Sequence, residues 1–366
     1  MSPWDAFPDD YRSAEVRTIH NAVKAGECVA VVGLSGAGKS NLLGYLSVRA
    51  PSGDEPRYVL VDGNRLAESS AAGFLSLMRQ ALEPGSSVDP QLDALTSLEV
   101  ALTPHLAGGV CFLLDLSLLL DRKGHLLSGQ GQGLWGNLRA LRDRHKFAVS
   151  YVVATRHRLP RENELAELFF GHTLWLGPLA EADARWNVAR FAERTGQQWG
   201  PDQVAAILAA SGCYPALLRG ACEACAAGLP AAVEALARHE AVAARLDEFW
   251  ADEPEPAELA AAGLSNLPLL TAARPHAFDR AQLTAKEHRL LQVFEARSGD
   301  VCEKDDLIRA IWPEDQIFES GVRDDSLAQL VRRLREKIEP DAAHPRMILT
   351  VTGRGYRFVK PRAGGE

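Results

Sequence analysis

Short apolar runs alternate with stretches of helical spacing along the first half of the chain. Cys28–Val32 (Cys-Val-Ala-Val-Val), Arg57–Asp62, Val110–Asp115, Phe147–Ala154 and His172–Leu176 are short and β-branched enough to predict buried strands. Between them, Arg12–Ala25, Ala71–Leu82, Ala94–Leu102 and Leu134–His145 carry the spacing of helices. Strands alternating with helices predict a parallel α/β sheet. From Leu179 to Leu246 the chain is helical and Ala-rich, broken at Ser211–Pro215. Glu253–Pro275 holds Pro254, Pro256, Pro268 and Pro275 with alanines between them, and reads as a linker with one short helix. The character then changes to three helical stretches and two β-rich ones. The expected division is 1–178, an α/β domain; 179–250, a helical lid; 251–277, a linker; and 278–361, a second domain.

The first candidate chemistry sits between a strand and a helix. Gly33–Ser40 reads Gly-Leu-Ser-Gly-Ala-Gly-Lys-Ser, the phosphate-binding loop pattern in the context that pattern needs. Gly33, Gly36 and Gly38 let the backbone wrap with its N–H groups turned inward, and the loop ends at a helix N-terminus that favours an anion. Lys39 would reach the β- and γ-phosphates of a nucleotide, and the Ser40 hydroxyl would ligate Mg²⁺. Asp115 ends an apolar strand, where its carboxylate would sit near that Mg²⁺, directly or through water. Arg156 follows the strand ending in Thr155 and is a candidate γ-phosphate sensor. A hydrolase commonly has Glu directly after the strand-ending Asp to orient water; here position 116 is Leu. Nucleotide binding is therefore better supported than fast hydrolysis; Asp121, farther on, could substitute but is read first as the cap of a helix or turn.

In the second domain, Thr284 and Glu287 form a capping box ahead of the first helix. Lys304–Trp312 is the second helix, and Asp325–Ile338 the third. Leu327, Leu330, Val331, Leu334 and Ile338 share one face of that third helix. Gln329, Arg332, Arg333 and Glu336 fall opposite, with Arg335 on the flank. An apolar back and an Arg-rich front suit the major groove of double-stranded DNA, where Arg reads guanine or grips phosphate. Met347–Val351 and Tyr356–Val359 predict a hairpin with Arg354 at its tip.

Composition narrows these readings. The 366 residues are 46% apolar and carry a formal charge of −8, which excludes a protein that coats nucleic acid with its whole surface but permits one basic module. The acidic, Pro-broken start does not read as a signal peptide, and Val110–Leu120, the longest apolar run, is too short to span a bilayer. Six cysteines do not make a disulfide framework, so a cytoplasmic location is expected. Cys222 and Cys225 are read as a buried helix face.

Two family resemblances rest on these motifs. Residues 10–228 resemble a STAND-class P-loop ATPase, the AAA-related group that includes NB-ARC and NACHT switch modules. The match rests on Gly33–Ser40, the Asp115 strand, Val153-Ala154-Thr155-Arg156, and Gly212-Cys213-Tyr214-Pro215-Ala216-Leu217. The resemblance implies that Arg156 senses the γ-phosphate and that Pro215 packs on adenine, with ATP or ADP and Mg²⁺ as cofactors. Residues 278–361 resemble the OmpR/PhoB-type winged helix through Leu283–Glu287, Leu307–Trp312, Leu334–Ile338 and Thr350–Phe358. That implies a recognition helix bearing Arg332, Arg333 and Arg335, and a wing bearing Thr352 and Arg354. Two departures are Ala328 in place of a usual Asp and a longer loop, Pro313–Asp324, at which RNA polymerase contact is left open. The expected architecture is an α/β P-loop NTPase with a helical lid, plus a C-terminal winged helix-turn-helix domain. Its expected function is an ATP/ADP-switched, sequence-specific DNA-binding transcription regulator, with no membrane partner and with self-association left open. The alternative is an ATP-driven DNA-remodelling, transposition-type or defence ATPase tethered to DNA by its winged helix. A third is an ATP-binding scaffold.

Overall fold

A computed structural model describes residues 2–49, 56–63, 66, 70–86, 89–122, 124–125, 133–163, 165–273, 282–312, 322–339, 342–345 and 347–359, with backbone alone at 322–325. The chain forms two compact units, Met1–Ala272 and Ala273–Glu366.

The first unit opens with a 3-10 turn at Pro3–Ala6 and then runs α1 (Ser13–Lys24), β1 (Val29–Val32), α2 (Lys39–Val48), β2 (Arg57–Asp62), α3 (Ala71–Leu82), α4 (Ala94–Leu102), β3 (Val110–Asp115), α5 (Leu134–His145), β4 (Val149–Thr155) and β5 (Thr173–Trp175). Among the described residues these strands form one parallel sheet in the order β2-β3-β4-β1-β5. Every residue of β1, β3 and β4 is buried, as an apolar run covered on both faces should be. The register aligns the strand ends: Val32 lies beside Thr155, and Asp115 beside Ala154. The glycine loop after β1, Asp115 and Arg156 therefore emerge on one edge of the sheet, where open α/β folds bind their ligands.

Helices α6 (Glu181–Thr195), α7 (Pro201–Ser211), α8 (Pro215–Ala226), α9 (Val233–Ala237) and α10 (Glu240–Ala251) come next. Cys222 and Cys225 are both buried free thiols of α8. The stretch read as a linker differs from expectation. Up to Ala272 it belongs to the first unit, and it holds two short helices, α11 (Pro256–Ala261) and α12 (Pro268–Ala272). Each opens on a proline, which is pre-organised for a first helical position and so starts these helices instead of breaking the chain. Leu259, Leu264, Leu267, Leu269 and Leu270 are buried, so the segment is packed. Residues 274–281 lie outside the described set.

The second unit contains α13 (Ala285–Ala296), β6 (Val301–Glu303), α14 (Lys304–Ile311), α15 (Val322–Ile338), β7 (Ile348–Val351) and β8 (Gly355–Phe358). The sheet is antiparallel, in the order β6-β8-β7, so a short strand joins the expected hairpin. Its core joins Leu290, Leu291 and Phe294 of α13, Leu307, Ile308 and Ile311 of α14, and Leu327, Leu330, Val331, Leu334 and Ile338 of α15. The capping box forms: Glu287 N–H donates to Thr284 Oγ1 at 3.4 Å and Thr284 N–H to Glu287 Oε2 at 2.8 Å. Lys337 Nζ also reaches Glu287 Oε2 at 2.6 Å, tying α15 to α13. Gly355 has a packing reason: a Cβ there would lie 2.1 Å from the Cys302 carbonyl oxygen, so only glycine lets β8 pair with β6. The loop at 313–321 lies outside the described residues. No helix among the described residues is long and apolar enough to cross a membrane.

Candidate functional site

In the glycine loop, Gly36 and Gly38 adopt φ of +81° and +87°, the left-handed region. A Cβ on Gly36 would also sit 2.3 Å from the Ala216 Cβ, so the loop approaches α8 as closely as glycine allows. The loop carbonyls are bonded in succession. Lys39 Nζ donates to Gly33 O at 2.5 Å and to Leu34 O at 3.2 Å. Tyr214 Oη donates to Ser35 O at 2.7 Å and to Leu34 O at 3.2 Å. Ala216 N–H meets Gly36 O at 3.1 Å, and Arg12 Nη2 meets Ala37 O at 3.0 Å. Carbonyls held this way keep the loop in a single wrapped form. The Ser35 N–H donates to Asp252 Oδ2 at 2.6 Å.

Three further expected residues converge on the same place. Ser40 Oγ donates to Asp115 Oδ2 at 2.5 Å, and Asp115 Oδ1 accepts the Ser117 N–H at 3.2 Å. Arg156 Nη1 donates to Asp252 Oδ1 at 2.7 Å. Lys39 is buried, which pushes its ammonium down to about 8 from 10.5, while the carboxylates of Asp115 and Asp252 act in the opposite sense. Gly36, Gly38, Lys39, Ser40, Asp115, Arg156 and Pro215 all line one cleft of about 410 Å³. Pro215 is the first residue of α8 and faces Gly38. Gly33 does not line the cleft; it joins the loop to β1, its N–H bonded to Thr155 O at 3.0 Å.

Sequence reasoning missed several contributors. Ser117, Arg219, Arg245 and Glu248 line the same cleft. Arg12, fully buried as a side chain, links the loop to the Gly177 carbonyl, while its N–H donates to Asp183 Oδ2 at 3.0 Å. An Arg at φ +46° before a helix gave no local signal of that role. Tyr214 was legible as part of the Gly212–Leu217 element but not as a clamp on the loop. Leu116 is buried in the sheet core and does not face the cleft. Asp121 accepts the His125 N–H at 2.8 Å, which makes it a turn cap.

The second candidate site is the outer face of α15 and the hairpin tip. Gln329, Arg332 and Arg333 are exposed, and Arg332 Nε pairs with Glu336 Oε1 at 3.0 Å. Thr352 and Arg354 are exposed in the turn between β7 and β8. Arg354 Nη2 lies 4.0 Å from Glu303 Oε1. Arg335 departs from the expected set. Its Nε donates to the Ile348 carbonyl at 3.0 Å, its Nη2 to Thr350 Oγ1 at 2.9 Å, and its guanidinium lies over the Tyr356 ring at 5.9 Å. Burial lowers its pKa. The side chain joins α15 to the hairpin, unlike the exposed Arg332 and Arg333.

Residues 279–358, nearly all of the described second unit, match the family model described as "Transcriptional regulatory protein, C terminal". The second unit is a winged-helix domain of that OmpR/PhoB type. The chain is 30% identical over 131 residues to the uncharacterized transcriptional regulatory protein YcbL of Bacillus subtilis, covering 34% of this chain and 54% of that protein. It is 37% identical over 81 residues to the transcriptional regulatory protein AfsQ1 of Streptomyces coelicolor, covering 22% of this chain and 34% of that one. The chain thus spans about a third to a half of the length of these curated relatives. Among solved structures it is similar to the Walker-type ATPase PABY2304 of Pyrococcus abyssi, with a TM-score of 0.46 and 14% identity over 99% of this chain and 95% of that one. It is similar also to the Orc1 protein of Aeropyrum pernix in complex with DNA, with a TM-score of 0.44 and 15% identity over 98% and 90%.

Proposed function

We propose that the chain is an ATP- or ADP-switched, sequence-specific DNA-binding transcription regulator. The observation that carries the first half is the convergence on one cleft of a left-handed glycine loop, its buried Lys39 and the Ser40–Asp115 pair. The residues fit a magnesium nucleotide. The Ser40 hydroxyl and Asp115 carboxylate are the hard oxygen donors Mg²⁺ prefers, and Ser117 Oγ and Ser35 Oγ are buried without a hydrogen-bond partner among the described residues. Lys39 and Arg156 would bind the phosphates and Pro215 the base, the assignments of a STAND-class switch. When bound, the metal would neutralise phosphate charge. The finer division into an α/β domain at 1–178 and a helical lid from 179 is part of this reading.

The second half rests on the match at 279–358 and on Gln329, Arg332, Arg333, Thr352 and Arg354 lying exposed on one helix face and one hairpin tip. Helix residues would read bases, and hairpin residues would grip the backbone of double-stranded DNA. Contact with RNA polymerase near 313–324 and nucleotide-dependent self-association extend the same reading. The burial of Leu116 favours a switch over an ATP-driven DNA motor. Selecting duplexes from a randomised pool with the full chain tests the proposal. A shared sequence should emerge and its recovery should change between ATP and ADP; a pool without consensus would refute sequence-specific binding.

A further inference from the structure

Asp252 caps the C-terminus of α10 and its side chain is 1% exposed. A buried carboxylate needs close partners, and this one has two. Oδ2 takes the Ser35 N–H of the glycine loop at 2.6 Å, and Oδ1 takes Arg156 Nη1 at 2.7 Å. Ser35 and Asp252 are 217 residues apart, so the contact is made by the fold and not by local sequence. A loop amide and Arg156, with Lys39 near enough to feel the charge, are the donors that a nucleotide's terminal phosphate would need in this cleft. A carboxylate oxygen and a phosphate oxygen ask for the same kind of donor, and the Ser35 N–H and the Arg156 Nη1 group are already given to Asp252.

The residues after Asp252 are held to the same sheet edge. Arg122, just beyond β3, pairs with Glu253 at 3.7 Å, Glu255 at 3.3 Å and Glu258 at 3.8 Å. His157, next to Arg156, meets Glu258 Oε1 through Nδ1 at 2.9 Å. These contacts belong to the stretch that passes through α11 and α12 to the end of the first unit at Ala272.

We propose that Asp252 is an internal competitor for the terminal phosphate of the bound nucleotide: its carboxylate holds the glycine loop and Arg156, and the phosphate displaces it, loosening residues 252–264. This rests on the nucleotide reading of the cleft. It supplies what a switch requires, a contact that differs between the two nucleotide states, placed at the start of the segment leading to the DNA-binding unit.

The test is calorimetric titration of the full chain with MgATP and MgADP for the wild type, Asp252→Ala, Asp252→Asn and Lys39→Ala. Hydrogen exchange of the peptide 253–264 is measured alongside. A competitor lowers apparent affinity by the fraction of molecules left open, so Asp252→Ala should bind ATP about tenfold more tightly and gain less for ADP. Asp252→Asn, which keeps size and an acceptor oxygen, should gain part of that; it carries the comparison alone if the alanine variant fails to fold. ATP should speed exchange of 253–264 in the wild type, and Asp252→Ala should speed it without nucleotide. If ATP binds the wild type and both Asp252 variants equally, or exchange is unchanged, the competitor is refuted and the nucleotide site stands. If folded wild type and variants alike bind no ATP, the nucleotide reading falls and this inference with it.

Discussion

In the first unit Lys39, Asp115, Asp183 and Asp252 are nearly closed off from solvent, whereas in the second the Arg332 side chain is 81% exposed. The buried charges each meet a partner on another element: Asp115 meets Ser40, Asp183 the backbone of Arg12, and Asp252 both Ser35 and Arg156. Charges closed off in this way suit a ligand small enough to be enclosed, because low dielectric makes each contact strong and each mismatch costly. Arginines held open on a helix suit a long polyanion whose counterions are released into water. The same residue type therefore does different work in each unit. Arg156 is tied to a buried carboxylate at the sheet edge, and Arg333 is presented to solvent.

Turnover is where an enclosed binding cleft and a fast hydrolase would differ most. With Leu116 buried and Asp121 committed to a turn, no water-positioning carboxylate comes directly after Asp115, a deficit of about 10²–10⁴-fold in rate. Steady-state hydrolysis below about 1 s⁻¹ is expected, under the ordinary range of enzymes. A faster rate would point to Glu248, the carboxylate that lines the cleft from α10. Next, Lys39→Ala should cost about 2–5 kcal/mol of ATP binding, the usual loss when one partner of a buried charge pair is truncated. Calorimetric titration reads the loss. Circular dichroism should show the winged-helix fold kept, since the two units have separate cores.

The arginines of the second unit divide by what they touch. Arg332→Ala or Arg333→Ala should cost about 1–3 kcal/mol and relax preference at one base pair. Arg335→Ala should behave differently, lowering the melting stability of the unit by about 1 kcal/mol through the lost bonds to Ile348 and Thr350. Arg354→Ala should weaken specific and non-specific duplex equally and lower the salt slope by about one unit. Fluorescence anisotropy over a salt series, with a selected and a scrambled duplex, separates the helix arginines from Arg354, and thermal unfolding reads the Arg335 loss.

The pH dependence should be weaker than any of these. Burial holds the free-protein Lys39 near 8, and bound phosphate would favour its charged form. ATP binding should therefore take up protons around pH 8 and weaken as pH rises through that value. In the free protein the sign for stability is the reverse. The native state binds fewer protons than the unfolded state between about 8 and 10.5, so this group's contribution grows with pH across that window. Glu287 works at the acid end. Burial raises its pKa, but the bonds from Lys337 and Thr284 outweigh burial and leave it lowered. Its contribution is present above the ordinary carboxylate range and lost as pH falls through the lowered value.

The sheet was legible because its central strands are largely apolar runs and the loop motif fixes the turn and helix after β1. The core face of α15 was legible because a 3.6-residue period marks it without knowledge of the partner. Arg335 was not, since its fate depends on where the Ile348 carbonyl lies, and a helical wheel cannot say which flank a hairpin covers. Two other misses have a similar origin. Pro256 and Pro268 look like linker residues until one asks whether each could be the first residue of a helix. Asp252 sits before Glu253 and Glu255 at the start of the stretch read as a linker, and its partners include a loop more than 200 residues earlier. Local periodicity finds elements; it does not find which charge on one element is meant for another.

A switch requires that nucleotide in the first unit alter DNA binding by the second. Anisotropy of the full chain on a selected duplex, at fixed salt, with ATP, ADP or no nucleotide, measures that coupling. A coupling free energy of about 1–3 kcal/mol, a shift of roughly five- to 150-fold between ATP and ADP, is predicted. Identical affinity in all three conditions, at concentrations where calorimetry shows the nucleotides bound, would contradict it.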